Sequence, residues 1–233
     1  EMMSMRTTTD AAFGDPHTVA ALRAYADLQA GRPILVTEGE RTVAAVAVDG
    51  LDAAGHETFF DRVAGGPAAL ALAAPRAERL GLVADAAAAT LVPVDAETPA
   101  DTLLALAGRD VSGPAGARIG GRAELAAVEL AKLAGLLPAL LVAPARRTVL
   151  NGAEAPLLTV DASAALGLRR HAAGTLRRVS AARVPLVDDI DTRFVVYRDA
   201  LGSTSIAIVV GEPDPARPVP VRIHSSCVTG DIF

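Results

Sequence analysis

Apolar and polar positions follow two rhythms along this chain, and glycine or proline stands at most of the changes between them. Asp15-Pro16 opens the first helical stretch, since aspartate suits a cap and proline suits a first helical turn. Val19, Leu22, Tyr25, Ala26 and Leu28 give that stretch one apolar face, and Gly31 stops it. Ile34-Leu35-Val36 reads as a short buried strand, Glu38-Gly39-Glu40-Arg41 as a charged turn, and Thr42 to Val48 as the second strand of a pair. A helix is predicted over His56 to Val63, a strand over Ala68 to Ala73 and a helical turn over Ala74 to Leu80. Thr90 to Val94 reads as a strand, Asp101 to Leu106 as a helix and the glycine-rich stretch Gly108 to Gly121 as a loop.

Arg122 to Leu136 has the most regular helical spacing. Leu125, Val128, Leu130, Ala131 and Leu133 form its predicted buried side, and Gly135 marks its end. A strand follows over Ala139 to Val142, then a helix from Asp161 to Leu168. Arg193 to Tyr197 and Ser205 to Val210 read as antiparallel strands joined by the turn Asp199 to Ser203. After a proline-rich turn from Glu212 to Pro218, Val219 to Ile223 reads as a last strand. Short helices alternating with apolar strands predict an α/β (α+β) layered domain, with antiparallel strands opening a second domain. The expected division is a flexible tail over 1–15, the layered domain over 16–180 and the start of the second domain over 181–233.

Composition narrows the possibilities. The 233 residues suffice for one large domain or two small ones. Half the chain, 51%, is hydrophobic but only 3% is aromatic, with no tryptophan, so the core must be built from Ala, Val and Leu. A net charge of −5 argues against a general nucleic-acid binder and leaves room for a local basic site for one nucleotide. Arg169-Arg170-His171 with Arg177-Arg178 is a basic patch, read as a solvated face or helix-end charge rather than a nucleotide contact. A single cysteine excludes an internal disulfide and fits a reducing, cytoplasmic compartment. Glu1 to Asp15 has no apolar signal-peptide core, and no run of about 18 apolar residues predicts a membrane span.

The densest chemistry lies at the end, in Val221-Arg222-Ile223-His224-Ser225-Ser226-Cys227-Val228-Thr229-Gly230-Asp231-Ile232-Phe233. As residue types alone, these read as a hydroxyl-rich turn with an incidental buried thiol, or as a polar site delivered by a strand end. From Arg222 onward the string resembles the segment that opens the catalytic centre of GTP cyclohydrolase II, the riboflavin-pathway enzyme that opens the imidazole ring of GTP. The resemblance implies GTP as substrate, formate and pyrophosphate as leaving products, and a zinc ion held by three cysteines. It places the first zinc ligand on Cys227 and the nucleotide-contacting run on Arg222, Ile223, His224, Ser225 and Ser226. Arg222 would offer a fixed cation to the triphosphate and the two serines hydroxyl donors, while His224 fits a structural hydrogen bond or a substrate contact equally. Zinc takes at least three protein ligands, so the remaining two are expected beyond Phe233, and this chain alone is expected not to turn over GTP.

A second resemblance covers Tyr25 to Ala143. Gly31-Arg32-Pro33-Ile34-Leu35-Val36 with its acidic turn, and the helix Arg122 to Leu136, are similar to 3,4-dihydroxy-2-butanone 4-phosphate synthase. That family uses magnesium, which needs hard oxygen ligands. Its acidic motif places its arginine on Arg41, but the carboxylates that follow fall on Thr42, Ala44 and Val46. Its metal-binding histidine falls on Arg122, and Glu124 survives beside that arginine as an expected surface pair. Glu38 and Glu40 are the acids left to act as shifted ligands. The domain therefore reads as a synthase-like fold whose magnesium site is lost. Together the resemblances imply a homodimeric GTP cyclohydrolase II whose front domain is a scaffold. The alternative is a non-catalytic dimerisation or regulatory module.

Overall fold

The computed structural model describes residues 15–151, 157–185 and 191–224. The chain divides into two compact units, residues 1–171 and 172–233. The α/β class expected from the pattern holds: a mixed seven-stranded sheet packs with helices, and a small antiparallel sheet follows.

In the first unit, α1 (Pro16–Gln29) starts where the sequence places it. The Asp15 carboxylate accepts the Thr18 N–H at 2.8 Å, and Pro16 fills the first helical position. β1 (Ile34–Glu38) and β2 (Arg41–Ala47) pair antiparallel in a register that sets Glu38 opposite Arg41 across a turn at Gly39, whose φ is 59°. Left-handed backbone of this kind favours glycine. Then come α2 (Ala53–Thr58), β3 (Ala68–Leu72), α3 (Ala74–Arg79), β4 (Thr90–Val94), α4 (Ala100–Gly108), β5 (Arg118–Ile119) and α5 (Arg122–Leu133). β6 (Ala139–Pro144), α6 (Arg147–Leu150), β7 (Thr159–Asp161) and α7 (Ala162–Gly174) follow. The sheet order is β5-β4-β3-β6-β2-β1-β7, antiparallel except for the parallel β1–β7 pair.

The central strands are buried on both faces, which is why β2 and β3 read as continuous apolar runs. Leu35, Val46, Leu70, Leu72, Val92 and Leu141 join Phe59, Val63, Leu103 and Leu106 in one core cluster. α5 crosses β1, β2, β6 and β3. Its buried residues are Ala123, Glu124, Ala126, Ala127, Val128, Leu130 and Ala131. This corrects the expected face: Leu125 and Leu133 are only half-buried. Val128, Leu130 and Ala131 are buried as expected, and Ala123, Ala126 and Ala127 take the other inward positions, where small side chains let the helix backbone approach the sheet closely.

Other local features differ from the sequence pattern for identifiable reasons. The helix expected over 56–63 begins at Ala53, because the Asp52 carboxylate accepts the Gly55 N–H at 2.7 Å. It then widens into a π-helical turn over Phe59–Val63, closed by Ala64 N–H donating to the Phe59 carbonyl at 2.8 Å. The Arg146 guanidinium takes the freed carbonyls of Phe60 (3.0 Å) and Ala64 (3.1 Å). Arg76 does the same for the end of α4, donating to the carbonyls of Leu106 (2.6 Å), Ala105 (3.3 Å) and Arg109. β5, α6 and β7 are too short to carry a period. α7 runs six residues past Leu168, so Arg169, Arg170 and His171 are helical.

In the second unit β8 (Arg177–Arg183), β9 (Thr192–Arg198) and β10 (Thr204–Val210) form an antiparallel sheet in the order β10-β9-β8. β8 crosses the division at residue 180 read from the pattern, and it pairs with β9 along its length. Arg177 and Arg178 are therefore strand residues, while Arg169, Arg170 and His171 belong to α7. The turn 199–203 is fastened by the Asp199 carboxylate, which accepts N–H groups of Leu201 and Ser203, both at 2.9 Å. The last strand expected over Val219–Ile223 does not form. Those residues have no ladder partner among the described residues, and Val221 and Ile223 are 81% and 99% exposed. Among the described residues no helix is long and apolar enough to cross a membrane.

Candidate functional site

The polar string at the chain's end and the charged cluster of the first unit are the two places to which the sequence assigns chemistry. Of the string, Arg222, Ile223 and His224 are described, while Ser225, Ser226 and Cys227 lie outside the described residues. Arg222 and His224 are exposed, following a turn in which the Asp214 carboxylate accepts the Ala216 N–H at 2.9 Å and pairs with Arg217 at 3.6 Å. An exposed guanidinium can meet a phosphate group with two parallel N–H donors. A thiolate such as that of Cys227 is a donor type that suits zinc. It is one donor, and no group of three His, Cys, Asp or Glu residues able to hold a metal occurs among the described residues. The described donors thus fall short of a zinc site.

The first unit's cluster is fully described. Glu38 ends β1, Arg41 starts β2 and Gly121 caps α5. Glu124, at the third position of α5, turns back to accept the Gly121 N–H at 3.0 Å, satisfying one of the helix's free donors. Its carboxylate also accepts both terminal nitrogens of Arg41, Nη1 at 3.0 Å and Nη2 at shorter range, in a two-pronged ion pair. Glu124 is 2% exposed and Arg41 46%. The surface pair with Arg122 expected from the sequence is therefore corrected. Glu124 is buried, and its partner comes from a hairpin 83 residues away. Burial pushes the Glu124 carboxyl upward, but the Arg41 hydrogen bonds and charge outweigh this and hold it below the ordinary glutamate range. The same hydrogen bond, reinforced by the charges of Glu124 and Glu38, raises Arg41.

Gly121 makes this geometry possible. A β-carbon there would lie 2.9 Å from Arg41 Nη1, 3.2 Å from Glu124 Oε2 and 3.4 Å from Glu38 Oε2. Three charged side chains converge on one glycine, and a larger residue would push the guanidinium aside. Both Glu124 oxygens are already engaged. Ala44 and Val46 are buried in the core cluster, and Thr42 is half-buried. Arg122 is exposed. The signal for Glu124's role was present, since glutamate at the third helical position after a cap often turns inward. Nothing local pointed to Arg41.

Comparison with known proteins adds to this geometry. Residues 177–233 match the family model of GTP cyclohydrolase II. The chain is 36% identical over 228 residues to the GTP cyclohydrolase-2 of Xylella fastidiosa (strain 9a5c), covering 95% of this chain and 55% of that protein. It is 44% identical over 118 residues to the GTP cyclohydrolase-2 of Azospirillum brasilense, covering 48% of this chain and 31% of the relative. The chain thus spans about half the length of the first of these relatives and less of the second. Among solved structures, a two-domain 3,4-dihydroxy-2-butanone 4-phosphate synthase from A. baumannii covers 91% of this chain and is covered to 78%. Its identity is 18% and the TM-score 0.49. The resemblance to GTP cyclohydrolase II read from the terminal string is borne out, and the Xylella relative extends it into the first unit.

Proposed function

We propose that this chain belongs to a GTP cyclohydrolase II of riboflavin biosynthesis, contributing a non-catalytic α/β domain and the opening of the cyclohydrolase domain. The observation that carries this reading is the match of residues 177–233 to that family, a range that includes the string from Arg222 to Phe233. In this reading GTP is the substrate and its imidazole ring is opened with loss of formate and pyrophosphate. Arg222 holds a phosphate of the triphosphate, where a planar guanidinium gives both charge and two-pronged geometry. Ser225 and Ser226 donate hydroxyl hydrogen bonds to the nucleotide, with Ile223 beside them and His224 bonding either substrate or backbone. Cys227 is the one donor this chain offers to zinc. A homodimer in the cytoplasm, without a nucleic-acid partner, goes with the same reading.

The α/β domain acts as a scaffold in this proposal and needs no magnesium. Its support is the cluster itself: Arg41 occupies both oxygens of Glu124, and the neighbouring positions carry Thr42, Ala44, Val46 and Arg122. The test uses the protein expressed at the full length of its relatives, with zinc content and GTP turnover measured together. Arg222→Gln is expected to raise the KM for GTP roughly tenfold or more, as removal of a charge-assisted hydrogen bond does. Cys227→Ser is expected to lower bound zinc. A zinc-free protein that does not consume GTP, or turnover of ribulose 5-phosphate with magnesium, would overturn the reading.

A further inference from the structure

The small sheet carries a charge arrangement that the proposed function leaves unused. Its strands hold five arginines, Arg177, Arg178, Arg183, Arg193 and Arg198, and no acidic residue. The register sets two of them directly opposite two others: Arg177 faces Arg198, and Arg183 faces Arg193. Directly opposed residues share a face, with α-carbons about 4.5–5.5 Å apart, and like charges in that position repel. A fold keeps such a conflict at little advantage to itself unless an anion offsets it.

The two pairs are not equivalent. Arg183 and Arg193 flank the segment that joins β8 to β9, which contains Asp188, Asp189 and Asp191. The Arg177–Arg198 pair has one acidic neighbour in sequence, Asp199. The adjacent Asp199 carboxylate is taken by the N–H groups of Leu201 and Ser203, and among the described residues neither arginine forms an ion pair. β10 extends the same row, because Thr204 lies opposite Arg198. Arg177, Arg198 and Thr204 therefore stand side by side across the three strands on one face, all exposed. The ladder bulges beside them: Arg178 pairs with Tyr197 and Ser180 with Val196, leaving Val179 without a partner. Bulges re-aim side chains and gather near binding sites.

We propose that Arg177, Arg198 and the Thr204 hydroxyl form a binding site for a small polyphosphate anion, either free pyrophosphate or the phosphate tail of a nucleoside triphosphate. Two guanidiniums and a hydroxyl supply several donors and two fixed charges, the complement of adjacent phosphate groups. The choice of anion rests on the cyclohydrolase reading, whose substrate and product both carry this chemistry; the site rests on the register alone.

The experiment is calorimetric titration of this chain with pyrophosphate, GTP and guanosine at low salt. Pyrophosphate and GTP should both bind and guanosine should not, which separates the phosphate tail from the base. Arg177→Gln with Arg198→Gln should weaken pyrophosphate binding by roughly a hundredfold, about tenfold for each guanidinium replaced. Arg177→Lys with Arg198→Lys should recover part of it. Arg183→Gln with Arg193→Gln removes the same charge at the other end of the sheet and should change affinity less than about twofold, given screening over that distance. Equal effects in the two glutamine variants, or no pyrophosphate binding below about 10 mM in the unaltered chain, would refute the site. Neither result depends on turnover, so the failure of this site and the failure of the cyclohydrolase reading are separately visible.

Discussion

Replacing Arg41 with methionine tests the central cluster of the first unit. The Glu124 carboxylate is 2% exposed and has three donors, two from Arg41 and one from the Gly121 backbone. Methionine keeps much of the length of the side chain and removes both arginine donors, leaving a buried charge with a single N–H. Breaking a fully buried pair in this way costs about 3–5 kcal/mol. Arg41 is 46% exposed, so water can reach the vacated space and part of the loss is recovered; about 2–3 kcal/mol is the expected net destabilisation. In a domain of this size that lowers the Tm by roughly 4–12 °C. Glu124→Gln is expected to cost less, about 1–2 kcal/mol, because its carbonyl still accepts the Gly121 N–H and the half-exposed arginine returns to water. The double variant should lose less than the sum of the single losses, with a coupling of about 1.5–2.5 kcal/mol in urea unfolding. The pH dependence has a defined sign. The Glu124 carboxyl is depressed in the folded state, so its contribution is present above the ordinary glutamate range and is lost as pH falls through the depressed value. Arg41→Met should therefore flatten the acid limb of the stability curve. A loss below about 0.5 kcal/mol with no coupling is the behaviour of a surface pair and would refute the burial argument.

Two further substitutions probe the packing around the sheet. His56 is buried with no partner for its Nε2 among the described residues and lies 4.9 Å, ring to ring, from Phe60; His56→Leu should raise stability by about 1 kcal/mol in thermal melts, and a fall in Tm would show that the nitrogen is satisfied. A β-carbon on Gly65 would lie 2.8 Å from both the Ala145 carbonyl oxygen and the Arg146 α-carbon, backbone atoms that cannot swing away; Gly65→Ala should cost about 1–3 kcal/mol by urea unfolding, and an unchanged midpoint would contradict the close approach.

Much of the layered domain was legible because its strands are short apolar runs and glycine stands at several of its turns. The Ile34–Ala47 hairpin, the buried strands at Ala68 and Ala139 and the long helix at Arg122 need only local chemistry to be read. β8 was not legible, because three arginines in seven residues do not read as a strand and all seven are exposed. The opposite error occurred at Val219–Ile223. A β-branched run read as a strand has no ladder there among the described residues, since pairing, not propensity, makes a strand. The helix face of α5 was legible at Val128, Leu130 and Ala131 and misjudged at Leu125 and Leu133, because periodicity counts hydrophobicity and not size. Alanines take the other inner positions where the helix lies close on the sheet.

The terminal string from Arg222 and the match of residues 177–233 depend on residue identity in order, and order is what a sequence carries. It determined the family likeness, the α/β class and the candidate nucleotide and zinc residues. It also determined that Thr42, Ala44, Val46 and Arg122, none of them a carboxylate, surround Arg41 and Glu124 in the chain. Only the tertiary structure decided what became of Glu124. Its partner Arg41 is 83 positions away, and the sheet that brings the hairpin beside the cap of α5 exists only once non-local strands have paired. The same holds for Arg177 and Arg198: their charge is written in the chain, but their opposition is a matter of register, which a one-residue slip would abolish.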